Sequence, residues 1–127
     1  MRLTELRDFP QYFARRNVLR HKELAELIAS NSPSTGANYF DYWLLYSHIR
    51  KTRPKEVLEL GPGLTTLVIA QALYENGGGR VTAMEDLAQY YEALLKIIPK
   101  HLAPFIDARL SPSHQVHHGP FRGKAYQ

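Results

Sequence analysis

The 127-residue sequence contains no cysteine. Disulfides and thiolate metal sites are therefore excluded, and stability must come from packing of the 44% apolar residues. The sequence also lacks any run near the about 20 consecutive apolar residues of a membrane-spanning helix. Its first residues, MRLTELRDFP, lack the apolar centre of a secretory signal. We therefore expect a soluble cytoplasmic protein with no membrane partner.

Charge of one sign is not concentrated anywhere in the chain. The formal net charge is +4, and the denser basic stretches, residues 15–22 and 50–55, lie beside predicted helices. Such charges usually form a solvated helix face. Nucleic acid stays open as a partner, although no recognised nucleic-acid module accompanies these residues. The tail histidines His114, His117 and His118 lack a paired carboxylate cluster, so we expect surface histidines and no metal.

The first part of the chain has helical periodicity. Apolar residues at spacings of three and four predict one helix over residues 10–30, with Pro10 in its first turn, and a second over residues 38–52. The aromatic residues of the second helix are expected to form a core face: Tyr39, Tyr42, Trp43 and Tyr46. Residues 1–53 are therefore predicted to form an N-terminal helical cap.

The chain then alternates short apolar runs with helical patterns. The predicted order is a buried strand at 57–60, a helix at 65–76 ended by a glycine triplet, a strand at 80–84, a helix at 87–98 and a strand at 105–110. This alternation is typical of a parallel sheet with right-handed crossovers. The polar tail, residues 111–127, shows no period beyond a Gly-Pro break, and we expect partial disorder there.

The expected fold class is α/β, with a Rossmann-like and mostly parallel sheet in residues 54–127 preceded by N-terminal helices. Residues 1–127 are interpreted as a single domain. A doubly wound sheet usually has five or more strands, whereas the pattern contains three. We therefore expect a truncated domain, the fragment of a longer sheet.

A glycine-bearing turn, ELGPGLTT at residues 59–66, links the first predicted strand to a helix. At the carboxyl end of a parallel strand, glycines let a ligand approach the backbone, and the helix start offers free N–H groups. Glu85 ends the next predicted strand roughly 20 residues later, where a carboxylate can accept both hydroxyl hydrogens of an adenosine ribose. The GxG turn alone is weak evidence for a ligand site. It is much more specific as part of the ordered combination of strand, GxG turn, helix, strand and acid.

These two motifs resemble a known family. The segment VLELGPG at residues 57–63 is similar to motif I of class I S-adenosylmethionine-dependent methyltransferases, and VTAME at residues 81–85 is similar to the acidic strand that follows it. The resemblance covers roughly residues 57–110. It implies S-adenosylmethionine as cofactor and methyl transfer to an unidentified acceptor.

The resemblance also implies which residues hold the cofactor. Gly61 and Gly63 would lie beneath its methionine portion and ribose, Glu59 would organise the pocket, and residues 36–39 would close over it. The full implied set is Glu59, Gly61, Pro62, Gly63, Thr65, Thr66, Glu85 and Asp86. Catalytic residues stay unknown, because relatives usually place them after a fourth strand.

Other interpretations stay open. Thr65 stands where a dinucleotide-binding turn has its last glycine, which disfavours an NAD-dependent enzyme. A noncatalytic module that binds an adenosine ligand or a partner, including a homodimer through an open sheet edge, is the alternative of a different class. The turn could also be a ligand-free connection, with Asp86 capping the next helix and Glu85 in solvent.

Overall fold

The computed structural model describes residues 3–31 and 39–126. Its elements are α1 (Leu3–Arg20), α2 (Lys22–Asn31), α3 (Tyr39–Thr52), β1 (Glu56–Leu60), α4 (Leu64–Asn76), β2 (Arg80–Glu85), α5 (Ala88–Ile97), a 3₁₀ turn (Ala103–Phe105), β3 (Ile106–Leu110), β4 (Ser113–His118) and β5 (Phe121–Tyr126). Most of the segment expected to close over a cofactor, residues 36–38, lies outside the described ranges.

The predicted single helix over residues 10–30 is wrong in two respects. The helical segment starts at Leu3, so Pro10 lies inside α1 instead of in a first turn. The chain also bends at His21, between α1 and α2. His21 Nδ1 accepts the backbone N–H of Leu24 at 3.2 Å, and Nε2 lies 2.7 Å from Glu75 Oε1. One side chain thus caps α2 and ties the bend to α4.

The third helix, α3, follows the prediction closely. Tyr46 and Ile49 are buried, and the remaining aromatic residues of the predicted face, Tyr39, Tyr42 and Trp43, are half-buried against the same core. The prediction of an aromatic core face is therefore confirmed. Contacts of α3 with both α1 and α4 place the N-terminal helices directly on the α/β unit.

The sheet confirms the α/β class. Strands β1, β2 and β3 are parallel and stand in that order, with Glu59 opposite Ala83 and Met84 opposite Arg109. Because α4 connects β1 to β2 and α5 connects β2 to β3, all three strands end at the same edge. The glycine turn and the acidic end of β2 therefore share that edge.

Helix α4 is the centre of the core, since every residue from Thr66 to Leu73 is buried. It ends at Gly77, which has a left-handed backbone with φ of 81°. The N–H groups of Gly77 and Gly78 donate to the carbonyl oxygens of Tyr74 and Leu73, at 3.0 and 3.2 Å. The prediction that the glycine triplet stops this helix is confirmed.

The prediction that β1 is buried is wrong. Leu58 is 65% exposed and Leu60 is 58% exposed. Val57, on the opposite face, packs against the core together with Val81 of β2. Within the described part of the chain β1 pairs only with β2, so it is an edge strand with one open face.

The tail is also more ordered than the sequence predicts. Strands β4 and β5 form an antiparallel hairpin, in which Ser113 pairs with Tyr126. The Gly-Pro break is its two-residue turn, and Gly119 has a φ of 59° there. A turn with glycine first and a following proline suits a hairpin, because its twist matches that of the flanking strands. Across the described ranges, no helix has the length and apolarity needed to cross a membrane.

Candidate glycine-turn site

The turn that follows β1 leaves open space beside its backbone. Gly61 has a φ of 78°, and its N–H donates to the carbonyl oxygen of Met84 at 3.0 Å, which ties the turn to β2. A Cβ atom added at Gly61 or at Gly63 would meet no atom within 4 Å. A ligand could therefore approach the main chain closely at both positions, next to the free N–H groups that begin α4.

Glu59 is half-buried beneath this turn. Its Oε1 accepts the hydroxyls of Thr65 and Thr66 at 2.6 and 3.1 Å. Its Oε2 is buried and has no hydrogen-bond partner among the described residues. Burial raises the pKa of Glu59, although the two threonine hydrogen bonds act in the opposite direction. A buried carboxylate oxygen of this kind is suited to an N–H donor or a cation.

The two threonines position the carboxylate. Thr66 is fully buried, and its hydroxyl accepts the N–H of Gly63 at 3.1 Å while it donates to Glu59. Its hydroxyl is therefore engaged within the protein. Thr65 and Pro62 are half-buried, at the helix start and between the two glycines respectively.

Glu85 lies at the end of β2, one residue beyond the pair formed by Leu60 and Met84. It is only 7% exposed, and its Oε1 accepts the N–H groups of Asp86 and Leu87 at 2.9 and 3.0 Å. These two bonds fix the carboxylate orientation. Neighbouring strands lie about 4.8 Å apart, so Glu85 and the glycine turn lie close together at this edge.

The alternative roles considered for the acidic pair are wrong. Helix α5 begins after Leu87 without any side-chain cap, so Asp86 does not cap it. Glu85 does not face solvent, because its carboxylate organises the backbone turn. The sequence correctly predicts the location of both acids, while their local hydrogen bonds come from the turn geometry.

The β4–β5 hairpin reaches the same edge. Ser113 Oγ donates to Asp86 Oδ2 at 3.0 Å. This bond is the largest cause of a lowered pKa at Asp86. Burial, followed by the charges of Asp86 and Glu85, raises the pKa of Tyr126. Sequence reasoning missed Ser113 and Tyr126, and the Gly-Pro turn was the signal that could have indicated their hairpin.

Other candidate features do not join this site. In the described ranges no group of three or more metal-binding side chains comes together, and His114 is exposed. The side chains of His117 and His118 lie outside the described part. The basic residues near the first bend are exposed: Arg15, Arg16, Arg20 and Lys22.

The described chain is thus of the α/β class, with a glycine turn and an acidic strand end that meet at the carboxyl edge of a parallel sheet. Comparison with protein-family models and with curated proteins finds no match to this chain. The functional argument therefore depends on the geometry and the chemistry of this edge.

Proposed function

We propose that this chain is the S-adenosylmethionine-binding part of a methyltransferase with a Rossmann-like sheet. The observation that carries the proposal is the unpartnered, buried Oε2 of Glu59 beside two glycines whose Cβ positions are open. An acceptor without a donor, next to room for a ligand at a helix start, is expected of a binding site.

The chemistry of the residues fits this cofactor. S-adenosylmethionine carries a sulfonium and an ammonium, and the turn at residues 59–66 contains a carboxylate and no basic residue. Glu59 would attract the cationic end, while a pyrophosphate would find no lysine or arginine in the turn. This charge pattern favours the methyl donor over NAD.

The acidic pair at the end of β2 would hold the nucleoside. The Oε1 of Glu85 is fixed by two backbone N–H groups, and its other oxygen would accept the ribose hydroxyls. Asp86, held by Ser113, would border the adenine together with the hairpin. Glycines 61 and 63 would admit the cofactor close to the main chain.

When bound, this cofactor supplies a sulfonium-activated methyl group that an acceptor nucleophile would attack, with S-adenosylhomocysteine as the leaving group. The residues of this chain would orient the donor and keep water from it, which can supply much of the catalysis of methyl transfer. The acceptor is not identified, and no residue of the described chain is assigned as an acid or base. The proposal therefore concerns cofactor binding first.

Two matched glycine variants test the proposal by calorimetric titration with S-adenosylmethionine, S-adenosylhomocysteine and NAD. A Cβ at Gly63 or at Gly78 meets nothing within 4 Å, and neither residue has a positive φ that demands glycine. Gly63→Ala should weaken binding of both sulfur nucleosides about tenfold or more, because its methyl group occupies ligand space. Gly78→Ala, at the far end of α4, should leave binding unchanged.

Glu85→Gln provides an independent variant in the same titration. It should weaken both sulfur nucleosides, because a hydroxyl donates a stronger hydrogen bond to a carboxylate than to an amide. The proposed site is contradicted if neither nucleoside produces a heat of binding. It is also contradicted if Gly63→Ala and Gly78→Ala bind the nucleosides with equal affinity. Tighter binding of NAD would instead favour the dinucleotide alternative.

A second candidate is a noncatalytic interaction module, and the open edge of β1 favours it. The backbone N–H and C=O groups on the outer side of an edge strand can pair with another chain. Leu58 and Leu60 add exposed apolar area. A homodimer through β1 is the simplest form of this partner. This role is compatible with cofactor binding, because the glycine turn lies at the end of the strand.

A further inference from the structure

Gln71 is a polar side chain in the most buried helix of the chain. It is only 1% exposed, and its Nε2 donates to Glu75 Oε2 at 3.3 Å. An ionised carboxylate only accepts hydrogen bonds, so this contact fixes the orientation of the amide and directs Oε1 elsewhere. Gln71 Oε1 has no partner among the described residues. A buried amide oxygen without a donor is rare in folded proteins.

Two cavities meet at this side chain. One has a volume of about 460 Å³ and the other of about 510 Å³, and Gln71, Glu23 and His101 line both. Each volume is in the range of small-molecule sites, about 300–1,000 Å³. The residue that carries the unpartnered oxygen thus lines a space that can hold a ligand, while the oxygen itself is shielded from solvent.

The smaller cavity is lined by both acidic and apolar residues. Glu23 and Glu26 contribute carboxylates beside Gln71, and the apolar wall consists of Leu27, Ile97 and Pro99. Lys96 and His101 are the basic residues that line this cavity. Lys96 is exposed, and its flexible stem lets its charge extend into solvent. This combination suits a short apolar molecule that ends in a cationic N–H donor.

We propose that the smaller cavity binds a small primary amine in its ammonium form, which donates to Gln71 Oε1 and to Glu23. Because Gln71 Oε1 is shielded from solvent in the free chain, the side chains that shield it must move aside on binding. Gln71 lies five residues beyond Thr66, about 8 Å along the axis of α4. The site is therefore separate from the glycine turn and does not depend on the proposed cofactor.

Nuclear magnetic resonance titration with n-butylamine tests the proposal, with 1-butanol and butyrate as the matched neutral and anionic compounds. Butylammonium should shift the side-chain amide signals of Gln71 and the backbone signals of Leu27, Ile97 and His101. The alcohol and the acid should shift them far less. Signals of the glycine turn report separately on any binding at Glu59.

Gln71→Met keeps the side-chain volume and removes both the unpartnered acceptor and the 3.3 Å bond to Glu75, two effects of opposite sign, so the variant should fold with an unfolding midpoint close to that of the wild type. It should weaken butylammonium binding about tenfold, as expected for the loss of one charge-assisted hydrogen bond. The control Gln89→Met changes an exposed residue of α5 and should bind like the wild type.

If Gln71→Met does not fold, Glu23→Gln takes its place at an exposed position of α2, and the same weakening is expected. The proposal is wrong if butylamine leaves the Gln71 signals unchanged. It is equally wrong if the alcohol binds as well as the amine, or if Gln71→Met and Gln89→Met bind butylammonium alike.

Discussion

At the scale of single residues, Glu59 combines burial with an incomplete set of hydrogen bonds. Burial raises the pKa of its carboxyl above the ordinary value of 4.5, so folding favours the protonated form. Stability is therefore lost as the pH rises from the unfolded value through the higher folded value. Glu59→Gln keeps an acceptor for the two threonines and does not ionise, so it should gain stability relative to the wild type as the pH rises through this window.

Urea unfolding of both proteins at about pH 4 and about pH 8 measures this difference. The free energy of unfolding of Glu59→Gln should rise relative to that of the wild type at the higher pH. Glu92→Gln, at an exposed position of α5, controls for the general loss of a carboxylate. A difference between Glu59→Gln and the wild type that does not change with pH would contradict the raised pKa.

Tyr46 joins helices α3 and α4 through its hydroxyl, which donates to Glu75 Oε1 at 2.9 Å. Tyr46→Phe should cost about 1 kcal/mol at neutral pH, because one buried hydrogen bond is lost. Burial, followed by the bond to Glu75, raises the pKa of Tyr46 from 10.0 to about 12. The stability of the wild type should therefore fall toward that of the variant as the pH rises from 10 to 12.

Chemical denaturation across this pH range measures the gap between wild type and Tyr46→Phe. The exposed Tyr90 supplies the matched control, since Tyr90→Phe should stay within about 0.5 kcal/mol of the wild type throughout. Equal effects of the two substitutions at neutral pH would show that the bond to Glu75 contributes nothing to stability.

The sequence predicts the acidic and glycine residues of the candidate site better than it predicts their partners. Gly61 follows the first strand and Glu85 ends the second, one helix links the two, and parallel strands end at a common edge. Their proximity is therefore encoded by the order of elements. The bonds from Thr66 to Glu59 and from Ser113 to Asp86 depend on side-chain positions that no periodicity specifies.

At the scale of elements, Gly79 connects α4 to β2 in a crowded position. Its φ is 103°, and an added Cβ atom would lie 2.7 Å from both Leu73 Cδ2 and the carbonyl oxygen of Pro54. Gly79→Ala should therefore destabilise the fold by about 3 kcal/mol, from backbone strain and a steric clash together.

Thermal unfolding of Gly79→Ala beside Gly78→Ala measures this effect. A Cβ at Gly78 meets no atom within 4 Å, so that neighbouring variant should change stability by less than about 1 kcal/mol. Equal losses in both variants would mean that the α4–β2 connection adjusts to a side chain at either position.

The elements that sequence periodicity predicts well are those formed by local patterns. Helix α4 lies between Gly63 and Gly77, strand β2 begins after Gly79, and the apolar residues of both face a core that surrounds α4. The bend at His21 escaped prediction because its partner, Glu75, is 54 residues away in the chain. The β4–β5 hairpin escaped because its strands have few β-branched or alternating apolar residues.

At the scale of the whole molecule, the sheet is covered on one face and open along β1. The sequence run VLEL predicts a strand correctly but cannot show whether other elements cover both faces. A fully buried strand and an edge strand with exposed leucines have the same apolar run. Leu58 and Leu60 are therefore the clearest case in which local pattern and tertiary environment differ.

If β1 mediates a homodimer, the two copies of the strand pair antiparallel about a two-fold axis and join two three-stranded sheets. Light scattering at increasing concentration should then show a mass approaching twice the 14.6 kDa of one chain.

Leu58→Lys should hold the mass at one chain, because the axis brings two like charges together on the joined sheet. Leu58 is exposed in the single chain, so folding stability should change by less than about 0.5 kcal/mol. Leu95→Lys, at an exposed position of α5, should associate like the wild type. A wild-type mass of one chain at every concentration, or equal association of the two lysine variants, would remove β1 as the interface.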